Sequence, residues 1–187
     1  MKKIYSSLRF LSLIGLGFIF SNCSNDDLGD SIPTFPASQM SVIHGDSEKS
    51  WRITEVINKY ADPADDFYFT LDCVSDDIYT FSAESDEAII TYGDQLCFAD
   101  VNDGIFTADR EAFGARLLML DDPETIYMSF GRGYTNKDNT ASGSTFAYYT
   151  LAELSENRMV FCRSRTGILG DYYEAYTFET VEDPGQE

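Results

Sequence analysis

The groups with which this 187-residue chain could do chemistry are four cysteines, one histidine and 32 carboxylates, and their spacing narrows the options quickly. Catalytic triads and zinc sites need an imidazole with partners at usable spacing. The single histidine, His44, stands beside Gly45 and Asp46 with no such partner pattern around it. No His-Glu-x-x-His, Gly-x-Ser-x-Gly or phosphate-loop motif is present. Two carboxylates about 5 to 9.5 Å apart could cleave a glycoside, but 32 acids supply so many pairs that none is singled out. They read as solvated loop and strand-face residues. Oxygen ligands are dense at Asp100-Val-Asn102-Asp103-Gly104 and at Asn136-Lys-Asp138-Asn139. Glu111 even stands where the last ligand of an EF-hand loop begun at Asp100 would fall, yet the glycine comes one position early and no helices flank the loop. An EF-hand is excluded, and an ordinary turn or an irregular calcium site remains. The residues therefore point to a non-enzymatic chain, with no cofactor and no metal assigned.

The cysteines carry more information. Lys2, Lys3 and Arg9 precede an apolar run, Phe10-Leu-Ser-Leu-Ile-Gly-Leu-Gly-Phe-Ile-Phe20, the order of a secretory signal. The run is about half of the roughly 20 residues that a spanning helix needs. It ends in Ile19-Phe20-Ser21-Asn22-Cys23, which resembles the lipobox of bacterial lipoproteins, in which the thiol takes a diacylglyceryl group and becomes residue one. Phe20 stands where Leu is usual and Asn22 where a small residue is usual, and such loose boxes resemble those of the Bacteroidota. Ser24-Asn25-Asp26-Asp27 is similar to the short acidic signal that sends lipoproteins of that phylum to the cell surface. The resemblance implies residues 1–22 cleaved, lipid on Cys23, and an outer-membrane anchor facing the surface or otherwise the periplasm. Acyl chains contribute about 0.8 kcal/mol per buried methylene, so two or three hold a chain to a bilayer without any spanning segment.

Cleavage would remove three basic residues and take the net charge from -19 to -22. Such a field repels nucleic acid and anionic surfaces, so the partners expected are the membrane through its lipid and a small apolar ligand or an envelope protein. An exported chain meets an oxidising compartment. Cys73 and Cys97 lie equally far on either side of Ser85, and a hairpin turning over Glu84-Ser85-Asp86 would bring them face to face, within reach of a disulfide. Cys162 is then left over inside Met159-Val-Phe-Cys162 and reads as a small buried strand residue.

Residues 23–48, with Pro33, Pro36 and no sustained apolar period, read as a flexible tether. From Trp51 the grammar changes to short Tyr-, Phe-, Ile-, Val- and Thr-rich runs separated by Asp, Asn, Gly and Pro, which predicts an all-β domain over residues 49–187. Strands are expected near Trp51 to Lys59, Phe67 to Asp72, Ile78 to Ala83, Ala88 to Tyr92, Ala115 to Leu120, Thr125 to Phe130, Thr145 to Leu151, Arg158 to Arg163 and Tyr172 to Val181, with a weaker one at Ile105 to Thr107. Asp122 and Pro123 suit the first two positions of a type I turn. Short links throughout favour an antiparallel up-and-down meander, and eight to ten such strands can close into a barrel without exposed edges.

Trp51 at the head of the first strand, Cys73-Val-Ser-Asp-Asp-Ile-Tyr-Thr-Phe81, Gly93 before Cys97, and Tyr148-Tyr-Thr-Leu-Ala-Glu-Leu-Ser-Glu-Asn-Arg-Met-Val160 resemble the lipocalin-like lipoproteins of Bacteroidota over most of residues 49 to 182. Lys49 stands where a true lipocalin has Gly two residues before the Trp. The resemblance implies a barrel whose interior could hold an apolar ligand, and Trp51, Phe69, Phe81, Phe130 and Tyr148 are the candidate lining residues. Strand alternation turns about half of such aromatics inward, as core or as cavity wall. The expected function is binding of a small apolar ligand or an envelope component. The alternative is an accessory or structural subunit of an outer-membrane uptake or assembly complex.

Overall fold

The computed structural model describes residues 29–59, 71–95, 108–136 and 142–181. Eight antiparallel strands follow one another around a closed barrel in chain order: β1 (Glu48–Asn58), β2 (Ile78–Ser82), β3 (Ser85–Thr91), β4 (Ala108–Asp121), β5 (Glu124–Asn136), β6 (Ser142–Leu154), β7 (Arg158–Arg163) and β8 (Glu174–Thr180). The all-β meander expected from the sequence is the fold. Closure comes from β1 pairing with β8, from Trp51↔Thr180 to Asn58↔Glu174, so neither end strand leaves a bare edge.

Alternation decides the core. Trp51 and Ile53 of β1, Tyr79 and Phe81 of β2, Ile126, Met128 and Phe130 of β5, Tyr149 and Leu151 of β6, Met159 and Phe161 of β7, and Tyr176 and Phe178 of β8 are all buried. Their rings meet inside the barrel. Tyr79 lies edge-on to Phe130, 6.0 Å between centroids, and Phe130 to Tyr176, at 5.1 Å. Because β2 and β5 are three strands apart, these contacts bridge the lumen, and edge-to-face pairs of this kind add about 0.5 to 1.5 kcal/mol beyond the area they bury.

Several expectations are corrected. The tether does not extend to residue 48. Residues 29–36 run along the outer wall, where Ser31 bridges to Ile168 and the Ile32 amide donates to the Gly167 carbonyl at 2.8 Å. A 3-10 turn, Ala37–Gln39, and the short helix α1 (Met40–His44) then close one end of the barrel, with Ile43 fully buried against the core. The docked segment also explains β7, which is buried on both faces. Val160 and Cys162 point away from the lumen into a second cluster with Ala152, Tyr172 and Ala175, covered in part by Ile32.

Leu71 and Asp72, expected at the end of a strand, belong instead to the short helix α2 (Leu71–Val74); residues 67–70 and 105–107 lie outside the described residues. The β2–β3 hairpin turns one position earlier than expected, at Ala83 and Glu84, with Ser82 opposite Ser85 and Ile78 opposite Thr91. Cys73 sits in α2, off the ladder, so the facing-strand argument for its pairing with Cys97 does not apply, and Cys97 itself lies outside the described residues. The β4–β5 link closes tightly with Asp121 opposite Glu124. Asp122 and Pro123 are therefore the two central residues of the turn, so Pro123 sits one position later than the type I turn expected, and the peptide between them is cis.

Cys162 is the described free thiol, and it is buried. Burial, and then the nearby Glu153 charge, push its pKa up to about 12 from an ordinary 9.0. The unfolded chain ionises this thiol near its ordinary value while the fold keeps it protonated. Its stabilising contribution is therefore complete below pH 9 and is lost as the pH rises toward 12. Two results are expected. Iodoacetamide at pH 8 should leave Cys162 unmodified in the native protein and alkylate it after unfolding in urea. The fall in stability above pH 9 should be shallower in Cys162→Ala; equal slopes would contradict the assignment.

Candidate functional site

The five aromatic residues expected to line a ligand cavity do not gather on one surface. Trp51, Phe81 and Phe130 are 0, 1 and 1 % exposed and belong to the packed interior. Tyr148 points the other way and is 59 % exposed. Phe69 lies outside the described residues, as does Cys23. The Trp51 indole N–H donates to the Ile43 carbonyl at 2.7 Å, so this ring is committed to holding α1.

Two other groupings carry polar chemistry. The first lies inside the barrel, toward the end opposite α1, where β1 and β7 finish and β8 begins. Glu174 accepts a hydrogen bond from the Tyr149 hydroxyl at 2.7 Å on one oxygen and from the Arg163 guanidinium at 2.8 Å on the other. The Tyr176 hydroxyl reaches the same carboxylate at 3.4 Å. Burial, and then the neighbouring Tyr176 and the Glu174 charge, hold the Tyr149 hydroxyl well above its ordinary pKa. This is a structural clamp with every oxygen of Glu174 committed, and nucleophilic or acid-base work would require breaking it.

The second grouping is on the outer wall. β3 and β4 share a single ladder pair, Glu87↔Arg116, whereas β4 and β5 pair along their whole length. Where the two strands part, the wall opens into a cleft of about 360 Å³, lined by Glu87 and Ala88 of β3, Gly114, Ala115 and Arg116 of β4, Ser129 of β5 and Phe146 of β6. A Cβ added at Gly114 would meet nothing within 4 Å, so this part of the lining is open. Phe146 is 61 % exposed and is propped edge-on by Tyr148, 5.2 Å between centroids. Ile89 on β3 is also exposed. Arg116 is fixed by Asp86, whose Oδ2 receives both Nε and Nη2 at 2.7 Å; that hydrogen bond and charge raise the guanidinium pKa further. The arrangement offers a ring face, a guanidinium, a carboxylate and a hydroxyl around one hollow.

Alternation along Thr145 to Leu151 could have exposed this wall, since Phe146 and Tyr148 share one face and Tyr149 and Leu151 the other. The sequence alone left open which face turned inward. His44 lies at the end of α1 with its Nδ1 2.8 Å from the Gly45 carbonyl oxygen. Among the described residues, no group of three or more His, Cys, Asp or Glu side chains is placed to hold a metal. Residues 100–104 and 137–139, considered for calcium, lie outside them. No described helix is long and apolar enough to cross a membrane.

No protein-family model, curated protein or solved structure matches this chain.

Proposed function

We propose that this chain is a lipid-anchored, non-enzymatic envelope protein whose barrel is a rigid body that binds an envelope component through its outer wall. The observation that carries the reading is the division of its aromatic residues: rings bridge the lumen, while Phe146 and Tyr148 stand exposed on the outside beside a cleft. A lumen occupied by the protein's own rings supports contact at the wall over enclosure of a small apolar molecule. Singly exposed apolar residues are ordinary, whereas a propped aromatic pair beside a concave hollow supports a binding surface.

Anchoring rests on the Lys2, Lys3, apolar run and Cys23 order in the sequence, with the outer membrane, and its surface face, as the place. Because residues 29–36 are docked, the chain from Cys23 to Gly29 can reach at most about 20 Å, which would hold the barrel close to the bilayer. Replacing Cys23 by Ala should release the protein into the soluble fraction; continued retention would refute lipidation. Cys162 is a buried free thiol, so with lipid on Cys23 this reading pairs Cys73 with Cys97 in a disulfide. The intact mass of the mature protein reads both features at once, as an acyl increment and a two-proton gain on reduction.

The wall reading is tested in the native envelope by a photo-crosslinking residue at Tyr148, with one at Arg52 on β1 as control. A crosslinked product specific to position 148 is expected, and equal labelling at both positions would overturn the reading. Recovery of one stoichiometric protein at 148 would favour the second reading, an accessory subunit of an outer-membrane uptake or assembly complex.

A further inference from the structure

We propose that the cleft between β3 and β4 is a carbohydrate subsite that takes one neutral hexose ring of a glycan, with Phe146 as its stacking face. The inference rests on the outer-wall reading and names the chemistry of its ligand. A hexose combines a face of C–H groups with a rim of hydroxyls, each of which both donates and accepts. The cleft presents the matching pair of surfaces. Phe146 supplies an exposed ring set at 88° to Tyr148, and among the small residues Ala88, Gly114 and Ala115 the lining carries donors and acceptors on Glu87, Arg116 and Ser129. Of the five N–H donors of a guanidinium, Asp86 engages two on Arg116, and the remainder are on the side chain that borders the hollow. Glu87 on the neighbouring strand supplies acceptors, and Ser129, only 6 % exposed, contributes a hydroxyl from the floor.

Size and charge separate this ligand from the alternatives. The volume, about 360 Å³, sits at the lower end of small-molecule sites, whereas a protein partner needs on the order of 800 Å² of its own surface covered. An apolar chain seated here would strip water from Glu87 and Arg116 without returning a hydrogen bond. A net charge of -19, with Glu87 in the lining and Asp86 already neutralising part of the Arg116 charge, repels uronic acids, phosphates and sulfates.

The test uses the full mature protein and three neutral probes, cellotriose, maltotriose and mannotriose, with trigalacturonate as the anionic counterpart, read by saturation-transfer NMR and calorimetry. At least one neutral probe is expected to bind, and Phe146→Ala should weaken it about tenfold through the lost stacking face. The Cβ of Gly114→Leu enters open space and the rest of the side chain is directed at the cleft that Gly114 lines, so the variant should keep the parent unfolding midpoint while abolishing binding. Failure of all three neutral probes up to about 10 mM, a complex weaker than any specific site shows, would overturn the proposal. So would equal affinity in the Gly114→Leu protein, or trigalacturonate binding as tightly as the neutral sugars. Position-specific crosslinking at Tyr148 without sugar binding would sink the carbohydrate and leave the wall reading standing, and loss of both would sink the two together.

Discussion

Trp51→Ala should lower the free energy of unfolding by about 3 to 5 kcal/mol, the cost of deleting a large ring from a packed core. The indole is fully buried, and so is Ile43, whose carbonyl it holds at 2.7 Å. Above the ring, at 4.7 Å from its centroid, sits the Lys49 ammonium, which also donates to the Val42 carbonyl at 3.2 Å. One side chain therefore ties the first strand to the helix that closes the barrel, and its removal acts on both. Trp51→Phe separates the two contributions: most of the apolar area stays, while the Ile43 carbonyl loses its donor, at about 1 to 3 kcal/mol. Urea unfolding of both variants measures this, since a shift in midpoint at constant slope reports stability alone. A change below about 1 kcal/mol for Trp51→Ala would mean that α1 is not packed as described. A second readout is proteolysis near residues 40–46, which should become faster in both variants.

How far the sequence foretold this follows from which signals are local. Strand existence was legible because β-rich runs are punctuated by turn residues every few positions, and a meander of short links has few ways to close. The closing helix was not legible. Ala37 to His44 spans too few turns to show a helical period, and of the helix itself only Ile43 is buried in the core, so nothing in composition distinguished this stretch from a linker. Residues 29–36 carry no signal of their docking for the same reason, because it relies mainly on backbone hydrogen bonds to Ile126, Gly167 and Leu169, which leave no mark on side-chain type, with one further bond from the Phe35 amide to the Thr125 hydroxyl. Tyr148 faces outward where the sequence resemblance implies a lumen residue, because alternation fixes the parity of a strand and not its sign. That sign comes from the register with β5, which puts Tyr148 opposite Ser129 and Ala147 opposite Phe130. The cleft depends on how far β3 and β4 stay paired, a tertiary property with no local signature.

Glu174→Leu should cost about 3 kcal/mol, more than its single charge suggests, because three donors lose one acceptor together. Tyr149 is 2 % exposed and Tyr176 is 0 %, so neither hydroxyl has ready access to water in exchange. The Arg163 side chain is 40 % exposed and can turn outward, which keeps the expected loss at the low end of the roughly 3 to 5 kcal/mol seen when a fully buried pair is broken. Replacing both charges, Arg163→Met with Glu174→Leu, should recover part of that loss by removing the stranded cation, and the double-mutant cycle isolates the coupling. A Glu174→Leu protein as stable as the parent would show that the clamp contributes nothing. The pH profile gives an independent check with a definite sign. Burial raises the Tyr149 hydroxyl in the fold above its ordinary 10.0, so the unfolded chain releases this proton first. The contribution is complete below pH 10 and is lost as the pH climbs beyond it. Tyr149→Phe should flatten that limb while costing about 1 kcal/mol at pH 7. Together the two substitutions distinguish a carboxylate that orders the upper core through its hydrogen bonds from one that is merely enclosed there, because only the first couples the stability of Glu174 to the titration of Tyr149.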